Sequence, residues 1–264
     1  MRIHAIQTGT VTIRRRQRIG ADGPLRVLKT ITDDEWTEPL PILAWLIEHE
    51  EGLIVVDTGE TARAALPGYF PPWHPYYRRC IRLAVEPDDE IGPQLRDRGF
   101  DPSDVRRVVL THLHTDHAGG LAHFPNSEIV IAYEEFEYAT GRRGRVRGYP
   151  NRHWPDWLDP TLVAAPDALT AAGDVRLEAT PGHTPGHISV TVETGDAFVI
   201  IAGDASYTQQ LMLDGQVDGV APDPTAFRAT LAQLRATVAE RSATYLPTHE
   251  PASVQRLDAA QADG

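Results

Sequence analysis

The chain has 264 residues and a formal net charge of −12 at pH 7 with His neutral. This length permits one large domain or two small ones with a sizeable core. The negative charge argues against nucleic acid as the substrate, because affinity for phosphates comes from Lys and Arg. We found no signal-peptide core and no run near the roughly 18 to 20 apolar residues of a membrane span. Cys80 is the single cysteine, so no disulfide within the chain is possible and a reducing compartment is expected. We therefore expect a cytoplasmic protein without membrane contact.

Apolar patterns predict strands and helices in alternation. The strands are expected at 2–13, 42–48, 53–57, 106–110, 128–132, 174–179, 188–193 and 197–202. The helices are expected near 58–66, 88–99, 133–140 and 224–240. The last helix has the clearest pattern, because its apolar residues recur at helical spacing and Pro224 lies in its first turn. This alternation predicts a mixed α/β architecture.

The segment 112–117 (HLHTDH) places three imidazoles and one carboxylate within six residues. These positions cannot share one face of a helix, where neighbours are three or four residues apart. They can share a centre if the backbone wraps around it as a loop. The segment follows the predicted strand 106–110 and precedes Gly119-Gly120, which permits a tight turn. Since α/β proteins place their chemistry at strand ends, the pattern predicts a metal centre.

Three further candidate ligands also follow predicted strands or short apolar runs. They are His183, Asp204 and His249. Together with the first segment they supply five His and two Asp, enough for two metal ions. Imidazole and carboxylate ligands suit zinc, and manganese, iron and cobalt are also compatible with them. The segments that carry the ligands must converge, so we expect one domain over residues 1–264.

These motifs, in this order, resemble the metallo-β-lactamase superfamily. The resemblance is carried by 111–120 (THLHTDHAGG), by His183, Asp204 and His249, and by 56–59 (VDTG). The segments 180–189 (TPGHTPGHIS) and 203–208 (GDASYT) resemble the N-acyl-homoserine lactonases, or quorum-quenching lactonases, in which a Tyr stands three residues beyond the bridging Asp. Here that residue is Tyr207. The resemblance implies a four-layer αββα sandwich with metals at one edge between the sheets.

The resemblance also implies a role for each ligand. One metal ion would be held by His112, His114 and His183, the other by Asp116, His117 and His249, and Asp204 would bridge them. A hydroxide between the metals would attack the carbonyl of an N-acyl homoserine lactone. Tyr207 would donate a hydrogen bond to the carbonyl oxygen, and Asp116 would carry a proton to the leaving alkoxide. The alternative for Tyr207 is a buried side chain with a satisfied hydroxyl.

Other residues near these motifs have supporting or open roles. Asp57 either orients a ligand imidazole or caps the turn at Thr58-Gly59. His187 exceeds the ligand count, so we predict a supporting role. Glu250 stands beside His249 where the family would have Asp.

Substrate choice must come from the loops. Residues 67–77 (PGYFPPWHPYY) are rich in Pro and aromatic residues. They could form an apolar cleft for an acyl chain, or they could cover core or a subunit contact. A homodimer is possible. The Arg-rich segments 14–18 and 142–147 are expected to be solvated.

Other functions stay open at this point. The substrate could instead be another lactone, such as those that vitamin-derived lactone hydrolases open. It could also be a thioester of the kind that glyoxalase II cleaves. Hydrolysis of either would use the same metals. A redox diiron protein of this fold typically has Glu at the position that His114 occupies here, so this chain lacks that Glu. A non-catalytic metal module is disfavoured by seven candidate ligands, because structural sites are usually closed and mononuclear.

Overall fold

Two β-sheets form the centre of the structure, a computed structural model that describes residues 1–262 apart from positions 22, 24, 151, 152 and 196. Within this range the first sheet contains β1 (Arg2–Ile13), β2 (Leu40–His49), β3 (Gly52–Val56), β4 (Ile81–Ala84), β5 (Val105–Leu110), β6 (Glu128–Ala132) and β7 (Thr161–Val163). The second contains β8 (Asp167–Ala168), β9 (Val175–Ala179), β10 (Ile188–Thr194), β11 (Ala197–Gly203) and β12 (Thr244–Pro247). The strand orders are β4-β1-β2-β3-β5-β6-β7 and β12-β11-β10-β9-β8.

Parallel strands bring several loops to one edge of each sheet. Strands β3, β5, β6 and β7 run parallel in the first sheet, and β11 and β12 run parallel in the second. Val108, Val109 and Leu110 of β5 are all fully buried, as expected for a parallel strand covered on both faces. The residues that follow β3 and β5 therefore emerge side by side, as do those that follow β11 and β12.

Helices lie along both outer faces. In the described part of the chain they are α1 (Arg15–Ile19), α2 (Arg26–Ile31), α3 (Pro75–Arg79), α4 (Ile91–Asp97), α5 (Thr115–Ala118), α6 (Tyr133–Thr140), α7 (Gln209–Leu213), α8 (Pro224–Arg241) and α9 (Ala252–Ala262). The longest, α8, begins after Asp223, whose side chain accepts hydrogen bonds from the next turn. No helix within the described ranges combines the length and the apolar character needed to traverse a bilayer.

The packing of these elements gives four layers. Between the sheets, Trp45 of β2 and Ile201 of β11 belong to one apolar core. On the outer face of the first sheet, Leu46 packs in a cluster with α4. On the outer face of the second, Ile200 packs in a cluster with α8. The predicted αββα sandwich is confirmed.

One predicted helix is wrong and another is shorter than predicted. Residues 58–66 contain only a short 3-10 helix, Ala62–Ala65. The Thr58 N–H donates to the His117 carbonyl at 2.7 Å, and the Gly59 carbonyl accepts from the Gly120 N–H at 3.2 Å. The backbone of Thr58 and Gly59 therefore pairs with His117 and Gly120 rather than within a helical turn. The helix expected near 88–99 is limited to α4, which the 3-10 helix Pro87–Asp89 precedes.

Candidate metal centre

The seven residues predicted from the sequence converge at one edge of the two sheets. His112 and His114 follow β5, Asp116 and His117 lie on α5, His183 lies between β9 and β10, Asp204 follows β11, and His249 follows β12. Residues 111–114 are irregular, as predicted, but the next residues form the single turn of α5. A loop and a short helix, rather than a loop alone, present the candidate ligands.

Three imidazoles form a first group. His114 Nδ1 lies 2.9 Å from His112 Nε2 and 3.0 Å from His183 Nε2. Burial, followed by the neighbouring histidines, holds the pKa of His112 and of His114 well below the ordinary value. Both rings are therefore neutral at pH 7, and neutral imidazoles have the lone pair that a metal ion needs.

Asp116, His117 and His249 form a second group, and Asp204 lies between the two groups. His249 Nε2 lies 3.5 Å from Asp116 Oδ2. Asp204 Oδ1 lies 3.4 Å from Nε2 of both His117 and His249, whereas Oδ2 lies 3.4 Å from His183 Nε2. One oxygen of Asp204 therefore faces each group, which is the arrangement of a bridging ligand.

Asp57 supports both the second group and the strand end. Its Oδ2 lies 2.8 Å from His117 Nδ1 and accepts a hydrogen bond from the Thr111 hydroxyl at 2.9 Å. Its Oδ1 accepts from the Thr111 N–H at 2.8 Å. The φ of Asp57 is 59°, in the left-handed region that is unfavourable for a residue other than glycine. Of the two roles predicted for Asp57, the structure confirms that of orienting an imidazole.

The sequence did not reveal the partners of two other candidate ligands. His183 Nδ1 lies 2.7 Å from Asp218 Oδ2, and both side chains are buried. His249 Nδ1 donates to the Pro41 carbonyl at 2.8 Å. A ring nitrogen that donates outward leaves the opposite nitrogen with its lone pair directed into the site. Glu250 has no part in this, since its carboxylate accepts from the Gln209 N–H at 3.0 Å.

Two buried residues fix the backbone around the candidate ligands. His187 Nε2 accepts from the Asp204 N–H at 3.0 Å, and burial lowers the pKa of His187 to about 3. Glu135 of α6 accepts from the Leu113 N–H at 2.9 Å and from the Thr184 hydroxyl at 2.5 Å. Glu135 thereby joins the segment 112–117 to the turn between β9 and β10. The supporting role predicted for His187 is confirmed; that of Glu135 was not predicted.

The donor set fits two divalent cations. His117 Nε2 and Asp204 Oδ1 are buried and lack hydrogen-bond partners within the described residues, although such an atom costs about 1–3 kcal/mol. Burial opposes a charge on His117, yet Asp204 and Asp57 raise its pKa well above the ordinary value. The site therefore favours positive charge at this point, which a cation supplies. Across the described chain, three overlapping triads with ligand atoms within 4.8 Å of one another include all seven predicted residues.

A cleft of about 450 Å³ opens onto both groups. Its floor includes Asp116 and Asp204, and its walls are apolar: Val11, Ile13, Val27, Ile31, Ile81 and Leu83. Residues 73–77 of the predicted aromatic loop line the cleft as well. Tyr77 braces this loop, because it stacks on Phe70 at 4.4 Å and donates to the Gly148 carbonyl at 2.6 Å. Part of the aromatic loop therefore lines the cleft that opens onto both groups.

Two segments expected to be solvated also contribute to the cleft. Val146 and Arg147 line it, and the Arg147 guanidinium lies 4.1 Å from the centre of the Tyr138 ring. In the segment 14–18, Gln17 is 3% exposed and lines the cleft. Val146 and Arg147 are nevertheless exposed, so among these three residues the prediction of a solvated segment is wrong only for Gln17. It failed because a short helix directs one polar side chain inward.

Tyr207 lies between the second group and the cleft. Its ring stacks on His249 with centroids 5.6 Å apart, and its hydroxyl accepts a hydrogen bond from Gln17 Nε2 at 2.9 Å. Burial and the charge of Asp204 raise the pKa of Tyr207 well above the ordinary value, so the hydroxyl keeps its hydrogen. The hydroxyl is therefore paired as an acceptor and keeps a hydrogen of its own.

Comparisons with known proteins agree with this geometry. A family model described as the metallo-beta-lactamase superfamily matches residues 37–249, which include all seven candidate ligands. The protein belongs to this superfamily. The N-acyl homoserine lactonase AiiA of Bacillus thuringiensis subsp. kurstaki is 32% identical over 201 residues, which cover 75% of this chain and 77% of the relative. The probable metallo-hydrolase Rv2300c of Mycobacterium tuberculosis is 33% identical over 198 residues, which cover 70% and 61%.

Solved structures of the superfamily share the fold. An N-acyl homoserine lactone hydrolase with the product N-hexanoyl-L-homoserine bound at its catalytic metal centre has a TM-score of 0.78 and 25% identity. The alignment covers 96% of this chain and 94% of that one. The dizinc quorum-quenching lactonase AidC has a TM-score of 0.68 and 20% identity, and covers 94% of this chain and 87% of its own.

Proposed function

We propose that this protein is a dinuclear-metal hydrolase that opens the lactone ring of N-acyl homoserine lactones. The observation that carries the proposal is the position of Asp204, which turns one oxygen to each of two ligand groups at the floor of an apolar cleft. The named lactonases among its relatives support this substrate class.

The candidate ligands divide between two ions in this proposal. One ion would be held by His112, His114 and His183, the other by Asp116, His117 and His249, and both by Asp204. Imidazole and carboxylate donors suit zinc, and a relative of the same fold is described as a dizinc enzyme. When bound, two divalent ions supply a water of lowered pKa as the nucleophile and Lewis acidity toward the carbonyl.

Two side chains of the protein act on the substrate directly. Tyr207 donates its hydroxyl hydrogen to the lactone carbonyl oxygen, where negative charge develops. Its ring is held against His249, so the hydroxyl stays in place. Asp116 has 22% of its side chain exposed, whereas His249 beside it has 1%. Asp116 is thus open to the cleft and carries a proton to the leaving alkoxide.

The cleft walls receive the acyl chain. Burial of each methylene contributes about 0.8 kcal/mol, so the apolar walls favour an acylated lactone over a bare one. A cytoplasmic location and a homodimer stay predictions; the free, buried Cys80 is compatible with a reducing compartment.

The test is acid release at constant pH by the zinc-loaded protein. Short- and long-chain N-acyl homoserine lactones are compared with an unsubstituted γ-lactone and a matched acyl thioester. The proposal expects fast, chelator-sensitive release from the N-acyl homoserine lactones, with a mass increase of one water in the product. Turnover of the thioester alone would contradict the substrate, and release that survives a chelator would contradict the metal mechanism.

A further inference from the structure

A single amide group connects two tyrosine hydroxyls at the cleft. Gln17 Nε2 donates to the Tyr76 hydroxyl at 2.8 Å and to the Tyr207 hydroxyl at 2.9 Å. An amide nitrogen has two hydrogens, so each tyrosine oxygen receives one of them. All three side chains line the cleft, although they come from α1, α3 and the segment after β11.

This arrangement leaves both hydroxyl hydrogens available to the cleft. Each oxygen already accepts a hydrogen bond, and within the described residues neither hydroxyl has another partner. A tyrosine hydroxyl ordinarily titrates at about pH 10, so both groups carry their hydrogen at neutral pH. The pair therefore presents two donors to whatever occupies the cleft.

The backbone of Gln17 is fixed by the same segment that supports the metal centre. The Gly219 N–H donates to the Gln17 carbonyl at 2.8 Å. A side chain at Gly219 would lie 2.2 Å from the Arg16 carbonyl oxygen, so only glycine permits this approach. The neighbouring Asp218 holds His183. Gln17 is therefore held in register with the ligands.

We propose that Gln17 positions both hydroxyls and that Tyr76 is a second substrate-binding donor. Tyr207 donates to the lactone carbonyl, while Tyr76 donates to the amide carbonyl of the acyl group. This inference rests on the proposed lactonase function and extends it to recognition of the amide.

The spacing suits such a substrate. The two hydroxyl oxygens cannot be farther apart than the sum of their distances from Gln17 Nε2. In an N-acyl homoserine lactone, only the α-carbon and the amide nitrogen separate the two carbonyl groups. One amide thus aims two donors at two neighbouring acceptors, and a lactone without the acylamino group can meet only one of them.

The first experiment replaces Gln17 by Glu, which has nearly the same shape. A carboxylate only accepts, so both tyrosine hydrogens would turn toward it and away from the substrate. We expect kcat on an N-acyl homoserine lactone to fall about 10²-fold, as on removal of an oxyanion donor. Adding Tyr207→Phe should then have little further effect, because the two changes remove one interaction. Gln255→Glu, an exposed glutamine of α9, is the matched control and should behave as wild type.

The second experiment is Tyr76→Phe with two substrates. We expect KM to rise roughly tenfold for the N-acyl homoserine lactone, as for the loss of one hydrogen bond, and to rise less for the unsubstituted γ-lactone. The exposed Tyr133 supplies the control Tyr133→Phe. Zinc content and Tm are measured for every variant, and Gln17→Met replaces Gln17→Glu if the latter does not fold.

The outcomes separate this inference from the proposed function. If the zinc-loaded wild type turns over no lactone, the proposed function and this inference are both overturned. If it turns over lactones while Gln17→Glu and Gln17→Met behave like Gln255→Glu, the positioning role of Gln17 is overturned. An equal rise in KM for both lactones in Tyr76→Phe would overturn the recognition of the amide.

Discussion

Asp218 Oδ2 lies 2.7 Å from Nδ1 of His183, and both side chains are 2% exposed. The other oxygen of Asp218 accepts from the N–H groups of Val220 and Ala221 at 2.8 and 2.6 Å. The carboxylate is thus oriented by the backbone and in turn orients the imidazole. His183 Nδ1 donates outward, which leaves Nε2 free to bind a metal.

Asp218→Asn should therefore weaken metal binding although it changes the shape little. The amide oxygen would keep the two backbone hydrogen bonds, so the NH₂ group would face His183 Nδ1 and favour the tautomer protonated at Nε2. We expect zinc affinity at the first group to fall about 10- to 100-fold. Competition with a chromophoric chelator measures it, with the exposed Asp214→Asn as control. Equal affinities in both variants would contradict this role for Asp218.

Asp204→Asn should lower the number of bound ions. An amide offers one oxygen to a cation, whereas Asp204 presents an oxygen to each group. We expect fewer than two zinc ions per chain by elemental analysis after dialysis, with loss of lactone hydrolysis. Retention of two ions would contradict a bridging role.

Tyr207→Phe should slow turnover and leave the metals in place. Within the described residues the hydroxyl bonds to Gln17 and to no candidate ligand, while the ring packs on His249 and is retained in Phe. We expect kcat to fall about 10²-fold at unchanged zinc content. An unchanged kcat would show that the hydroxyl serves only packing.

Glu60→Gln should remove a dependence of stability on pH. Burial raises the pKa of Glu60 to about 8, from an ordinary value of 4.5. Between these values the folded protein holds the proton and the unfolded chain does not, so the free energy of unfolding falls as pH rises. This contribution is fully present below pH 4.5 and is lost as pH rises through about 8.

Denaturant unfolding of the metal-free protein across this pH range measures the effect. The free energy of unfolding of Glu60→Gln, minus that of wild type, should increase as pH rises. Glu50 is exposed, so Glu50→Gln serves as the control. Its free energy of unfolding should follow the same pH dependence as that of wild type. Parallel curves for Glu60→Gln would mean that Glu60 titrates normally.

Ile31→Asn should alter the preference for acyl-chain length. Ile31 lies on α2 and lines the apolar wall of the cleft. Loss of this apolar contact should raise KM for a long-chain lactone roughly tenfold and have little effect for a short-chain one. Steady-state kinetics with both substrates measures this. An equal change in KM for the long-chain and the short-chain lactone would mean that the acyl group does not contact Ile31.

The sequence predicted which residues converge as candidate ligands, but not the residues that support them. Three His and one Asp within six residues are improbable without a shared centre, and strand ends converge in this fold. Asp218 could not be found in this way, because it is 35 residues from His183 and its neighbours carry no motif. Gln17 is 190 residues from Tyr207 and lies within a run of arginines that resembles a solvated segment.

The elements that were missed or wrong have a common physical cause. Strand β4 has four residues and α1 has five, too few for a hydrophobic period to be recognised. At the start of the predicted helix 58–66, the backbone groups of Thr58 and Gly59 bond to His117 and Gly120 instead of to a helical turn. Tertiary contacts therefore decided these local structures, whereas the long α8 follows its own sequence pattern.

The most direct test of the account is a zinc titration of metal-free protein, followed by acid release from an N-acyl homoserine lactone at constant pH. We predict no release without metal and a rise that reaches its maximum at two equivalents of zinc. Release without metal, or a maximum at one equivalent, would contradict the dinuclear mechanism.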